Sequence, residues 1–235
     1  CSSINELTPG NFHEINSCYS IGINMWIFHN FITNCYMIEL TNDDTLNEKY
    51  RIRILSLLKN RLKIPIFLIH KGLSNPIKVH KWMKGMSSKR VFLYEYIRPD
   101  IFKIDIKNEF IKLLKFIKKN KKSNILALGI GATIERAISL PLLLGYSKII
   151  ILGVDLKNTK YFWNDKDSNF KGLKTGQKIN GPHLTATKRF GGVPVQKSIL
   201  IMDKVARQHY GSRILISTKK SLLSSKLEKY KWQNK

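Results

Sequence analysis

Short apolar runs rich in Ile, Val and Phe alternate with stretches of helical periodicity along most of this chain. That alternation limits the fold more than any other feature. The runs Tyr19–Ile23, Cys35–Leu40, Ile64–Ile69, Arg90–Tyr94, Lys148–Leu152 and Arg213–Ser217 read as strands. Most are apolar at consecutive positions, as expected of strands covered on both faces of a parallel sheet. Between them lie helical patterns at Thr45–Leu62, Lys107–Lys119, Thr133–Leu144 and Val195–His209. Asp44 or Thr45 suits a helix N-cap, and Gly145 and Gly211 fall where helices end. The pattern predicts an α/β fold: a Rossmann-like, mostly parallel sheet flanked by helices. No repeat or linker composition interrupts it, so residues 1–235 are read as a single domain.

Composition narrows the partners. The 235 residues carry 41 Lys+Arg against 16 Asp+Glu, a net charge of +25, with 43% hydrophobic residues. So much apolar material excludes disorder as a description of the whole chain. The charge leaves nucleic acid, an anionic membrane surface or a phosphorylated small molecule as partners. A nucleic-acid module would show a reading motif, and no helix-turn-helix, RNA-recognition aromatic pair or zinc finger is present. The segment Asn108–Lys122 interleaves lysines with Phe110, Leu113, Leu114, Phe116 and Ile117, which makes an amphipathic helix with a basic outer face. Such a face is ordinarily solvated and otherwise meets anionic lipid or nucleic acid.

Three cysteines, Cys1, Cys18 and Cys35, with no CxxC pair fit a reducing compartment. No run approaches the roughly 20 apolar residues of a membrane span, and no signal peptide is visible. Cytoplasmic placement is expected, with peripheral contact at the inner membrane face as an option the charge allows. A lipoprotein reading, with Cys1-Ser2-Ser3 as a processed terminus, stays open beside it.

Four constellations suggest chemistry. Gly129-Ile-Gly131-Ala-Thr133 opens a helix, where small residues let backbone amides approach an anion. It lacks the third glycine of a dinucleotide fingerprint and the Gly-Lys-Ser/Thr of a P-loop, so close helix packing explains it equally well. Gly153 and Asp155 stand at the carboxyl end of a buried strand, where α/β sheets bind ligands, and Asp155 suits a ribose hydroxyl or a turn cap. His183 follows Gly-Pro in the long polar stretch Gly153–Gly192, which reads as a lid; a neutral imidazole there suits a general base. Ser2 and Ser3 resemble the tail of a phosphate-binding turn whose strand lies upstream, with a frayed terminus or a helix N-cap as the plainer readings; Asn24 stands at the carboxyl end of Tyr19–Ile23, the next strand, placed to hydrogen-bond a nucleotide. No HExxH, cysteine pair or Asp-x-Asp cluster is present, so no metal is expected.

In this order these pieces resemble the bacterial CMP-sialic-acid-dependent sialyltransferases of lipooligosaccharide synthesis and related 3-deoxy-ulosonic (Kdo or nonulosonic) acid glycosyltransferases. The matching residues are Ser3-Ile4 with Leu7, Asn24, Thr133 with the helix to Leu144-Gly-Tyr146, Gly153-Val-Asp155, Tyr161 and His183; the helix-strand pair Val195–Ser217 fits as well. The stretch Leu144–Asp155 carries most of the likeness. The resemblance implies a variant GT-A fold with a first strand upstream of Cys1. It also implies inverting, metal-independent transfer from a CMP-activated sugar to a glycan or lipid-linked glycan, without a cofactor. His183 would be the base and Tyr161 would assist the leaving phosphate. Ser2, Ser3, Asn24, Thr133, Gly153 and Asp155 would line the nucleotide site. Lys188 and Arg189, just past the base, are candidates for phosphate or acceptor contacts. Two alternatives remain: a Rossmann-type nucleotide-binding enzyme of another class, and a basic protein that binds nucleic acid or an anionic surface.

Overall fold

A computed structural model describes residues 2–60, 63–71, 76–86, 89–99, 105–119, 125–156, 184–187 and 192–233. In chain order its elements are helix α1 (Pro9–Asn16), strand β1 (Ile21–Ile23), β2 (Cys35–Ile38), α2 (Asp44–Leu58), β3 (Ile66–His70), α3 (Pro76–Lys84) and β4 (Val91–Ile97). Then come α4 (Ile106–Lys119), β5 (Ile125–Leu128), α5 (Thr133–Leu144), β6 (Lys148–Ile151), α6 (Val195–His209), β7 (Arg213–Ile216) and β8 (Glu228–Lys229). Short 3₁₀ turns occupy Ser2–Glu6, Asn24–Phe28 and Leu184–Ala186.

Every strand pair among the described residues is parallel. β1 to β5 form one sheet in sequence order, and β6, β7 and β8 form a second. Parallel neighbours need a crossover, and helices α2 to α4 supply those between β2 and β5. The expected Rossmann-like α/β architecture is therefore present. In register, Ile23 lies opposite Met37, Ile38 opposite Ile69, His70 opposite Tyr94 and Ile97 opposite Leu128. The residues that follow these strands therefore gather along one edge.

Both faces of the first sheet are covered, which is why its strands read as continuous apolar runs. Tyr36, Ile38, Phe67, Ile69 and Val91 pack against Tyr50, Ile54 and Leu57 of α2 and Val79 of α3. The alternate residues Cys35, Met37, Leu68, Tyr94 and Ala127 pack with Ala137 and Leu140 of α5. A further cluster joins Phe110 and Leu114 of α4, Ile138 and Leu142 of α5, and Ile199 and Met202 of α6 to Ile149 and Ile151 of β6. Full burial of such side chains contributes about 1.5–3 kcal/mol each.

The helices α5 and α6 have the bounds expected from sequence. Gly145 closes α5 at φ +84°, in the left-handed region where a Cβ costs energy, and Gly211 at φ +62° follows α6. Other boundaries shift. α2 begins at Asp44 because the Asp43 carboxylate accepts the Leu46 amide at 3.1 Å, and it ends at Leu58 rather than Leu62. β3 and β4 run on to His70 and Ile97, past the apolar residues that marked them. β5 is apolar throughout but only four residues long, and β8, α1 and α3 are likewise too short to stand out by periodicity. No described helix is long and apolar enough to cross a membrane.

Candidate functional site

Two polar clusters stand at the carboxyl ends of the strands, where ligands of parallel α/β sheets bind. The first forms where the N-terminal turn meets the end of β6. The Ser3 amide donates to Oδ2 of Asp155 at 3.2 Å, and the Ser3 hydroxyl donates to Oδ1. Both residues are buried. Burial works against ionisation of Asp155, but the side-chain and backbone bonds from Ser3 are among the contributions that outweigh it, and the carboxyl is held below its ordinary value. Gly153 at φ +64° and Leu156 at φ +62° flank the aspartate. A leucine in the left-handed region is a strained backbone, a feature that concentrates at functional sites.

The second cluster is a closed ring. Asn24, at φ +47°, accepts the Glu39 amide on Oδ1 at 3.0 Å and donates from Nδ2 to the Thr133 hydroxyl at 3.0 Å. Thr133 donates onward to Oε1 of Glu39 at 2.6 Å, and the same oxygen pairs with the Arg136 guanidinium. The ring ties the ends of β1 and β2 to the first turn of α5. Arg136 is 2% exposed and lies 4.5 Å from the centroid of the Tyr96 ring. Burial lowers it to about 10, so it remains a cation at neutral pH. A Cβ at position 129 would come within 2.8 Å of Arg136 Cγ, so Gly129 provides the clearance for this side chain. His70, at the end of β3, is buried edge-on against Tyr94 and 5.1 Å from Tyr96. Its burial lowers the imidazole, against the opposing charge of Glu95. Ile4 packs with Met25, Trp26 and Leu152, which brings the ends of β1 and β6, and so the two clusters, to a common edge.

The sequence-derived residues divide accordingly. Ser3 and Asp155 come together, with Gly153 in the same turn, and Asn24 meets Thr133. Ser2 lies in the turn beside Ser3, and nothing further is described of its side chain. Tyr161, His183, Lys188 and Arg189, like most of the stretch read as a lid, lie outside the described residues. The amides of Ile130, Gly131 and Ala132, expected to face an incoming anion, donate instead to Oε2 of Glu135 at 2.7, 2.8 and 3.0 Å. The buried Glu135 also receives the Ser198 hydroxyl on Oε1. The helix supplies its own anion at its N-terminus, the reciprocal half of a capping box. This favours close helix packing over an open phosphate cradle. Thr133 likewise spends its hydroxyl inside the ring.

Sequence reasoning passed over Glu39, His70, Tyr96 and Arg136. His70 was accessible to the strand-end rule, since it stands just past the run Ile64–Ile69; Glu39 falls inside the run Cys35–Leu40 and becomes a strand-end residue only because β2 stops at Ile38. Tyr96 and Arg136 needed the tertiary packing of α5 on the sheet. Among the described residues no group of three or more His, Cys, Asp or Glu side chains is arranged to hold a metal ion. Comparison with protein-family models, with curated proteins and with solved structures gives no match.

Proposed function

We propose that this protein is a glycosyltransferase. In this reading it moves a sialic-acid-like or Kdo-like sugar from a CMP-activated donor to a glycan hydroxyl, with inversion and without a metal, in surface-polysaccharide synthesis. The observation that carries the reading is that Ser3–Asp155 and the Asn24–Glu39–Thr133–Arg136 ring both stand at carboxyl ends of parallel strands, one in each of the two sheets, linked through the packing of Ile4 and amid residues at positive φ. Nucleotides bind such edges. The choice of CMP and of the sugar rests on the sequence resemblance.

In the proposed reaction the acceptor oxygen attacks the anomeric carbon of the donor as the bond from that carbon to the CMP phosphate oxygen breaks. The acceptor proton passes to His183, and the phosphate leaves with the bond's electron pair. Its charge is neutralised by the Tyr161 hydroxyl with Lys188 and Arg189. Transfer through an oxocarbenium-like transition state asks only for a placed base and a stabilised leaving group.

A thermal-shift panel of CMP, UDP, GDP and NAD tests the reading. CMP should raise the melting temperature selectively, because a ligand at 100 times its Kd stabilises the native state by ~2.7 kcal/mol. Equal shifts, or none, overturn it. His183→Ala should abolish transfer and leave the CMP shift intact. Transfer that survives in this variant removes His183 from the role of base.

A further inference from the structure

Glu39 stands one residue past the end of β2, on the strand-end edge. Its Oε1 is fully committed, taking the Thr133 hydroxyl and the Arg136 guanidinium. Its Oε2 accepts no hydrogen bond from the described residues, and the side chain is 20% exposed. Asp155 differs in having both carboxylate oxygens bound by Ser3. The Glu39 backbone is fixed as well, since its amide donates to Asn24. A carboxylate thus stands one residue past β2, pinned on one oxygen and open on the other, with a buried counter-charge beside it.

We infer that Glu39 reads hydroxyl groups on the bound nucleotide-sugar through Oε2, a proposal that rests on the glycosyltransferase reading above. An ionised carboxylate only accepts hydrogen bonds. Of the parts of a nucleotide-sugar it therefore fits sugar hydroxyls, and it repels the phosphate. In dinucleotide-binding sheets an acidic residue takes a ribose hydroxyl in this way. Arg136 is a positioning residue here. It holds Oε1 and so aims Oε2 outward, and its burial over Tyr96 keeps it from swinging out to a phosphate. Asn24 and Thr133 complete the same frame.

Binding of CMP, 2′-deoxy-CMP and CMP-N-acetylneuraminic acid to the full chain and to Glu39→Gln tests the assignment. The same ribose and 2′-deoxy pairs of UMP, AMP and GMP serve as further probes. Glutamine keeps an acceptor for Thr133 and Arg136 and removes the charge; if it does not fold, Glu39→Asp, which withdraws the carboxylate by one methylene, takes its place. If the hydroxyls are those of ribose, the wild type should prefer CMP over 2′-deoxy-CMP by about 10-fold or more. Glu39→Gln should lose about 10-fold in CMP affinity and bring the two ligands within about twofold of each other. If they belong to the transferred sugar, the wild type should bind both monophosphates alike, and only CMP-N-acetylneuraminic acid should weaken in the variant. The proposal is overturned if the variant binds every probe as the wild type does, or keeps the preference for ribose. Glu39-dependent ribose preference with another nucleotide and no CMP binding would end the cytidine reading and leave the role of Glu39 standing. No binding of any probe to the wild type would end both.

Discussion

His29 shows how one side chain couples this fold to pH. Its ring stacks on Trp26 with centroids 4.1 Å apart, and its Nδ1 accepts the Phe31 amide at 2.9 Å. Burial lowers the imidazole to about 4, below its ordinary 6.5. The unfolded chain therefore takes up a proton before the folded one does. Stability from this site is complete above pH 6.5 and declines as pH falls from 6.5 towards 4. The urea midpoint should fall over that window. His29→Phe, which keeps the stack and does not titrate, should flatten the fall, while His70, lowered by the same cause, leaves a residual slope. A pH profile identical to the wild type's would remove His29 from this account.

At the scale of elements, α5 connects most of what matters. Its first turn carries Thr133 and Arg136 to the strand ends, and its apolar side packs on the sheet through Ala137 and Leu140. The turn before it is held by Glu135, which takes three amides and the Ser198 hydroxyl of α6. Glu135→Ala strands those donors, and an unsatisfied buried donor costs about 1–3 kcal/mol. The substitution should cost ~3 kcal/mol or more in urea unfolding, and Glu135→Gln, which keeps an acceptor, clearly less. An alanine variant within ~0.5 kcal/mol of wild type would show that water replaces the carboxylate without loss. Much of α5 was legible in the sequence. The periodicity of Thr133–Leu144 and the closing Gly145 set its ends, and the small residues before it announced a close approach. What approached was not legible, because an internal glutamate and an external phosphate ask for the same small residues.

Across the whole molecule, remote segments are tied by polar bonds no local pattern announces. The Tyr230 hydroxyl donates to the buried carboxylate of Glu14, and the Gln233 amide donates to the other oxygen at 3.0 Å. The bond and burial together push the Tyr230 phenol up to about 12. These contacts fasten the C-terminal segment to α1. Tyr230→Phe removes one hydrogen bond, keeps the edge-on contact with the Trp232 ring, and should lower stability by ~1 kcal/mol in urea unfolding. No change would mean that solvent already competes for Glu14. The basic residues act at this scale too. Lys112, Lys115, Lys118 and Lys119 line the outer side of α4, while Phe110, Leu114 and Ile117 turn inward, as the amphipathic pattern predicted; Phe116, counted there with the apolar residues, is exposed.

The sequence by itself determined the class of the fold, because continuous apolar runs between helical patterns have one economical solution: parallel strands covered on both faces. It determined the bounds of α5 and α6 and drew attention to Ser3, Asn24, Thr133, Gly153 and Asp155, all of which stand at the strand ends. Only the tertiary structure decided how these residues spend their hydrogen bonds. Asn24 and Thr133 serve the ring, Asp155 serves Ser3, the anion at the start of α5 is Glu135, and the open carboxylate is Glu39. The physical reason is separation along the chain. Asn24 and Thr133 are 109 positions apart, and Ser3 and Asp155 are 152 apart. Periodicity reports which face of an element is buried, whereas the partner of a polar group depends on which elements meet.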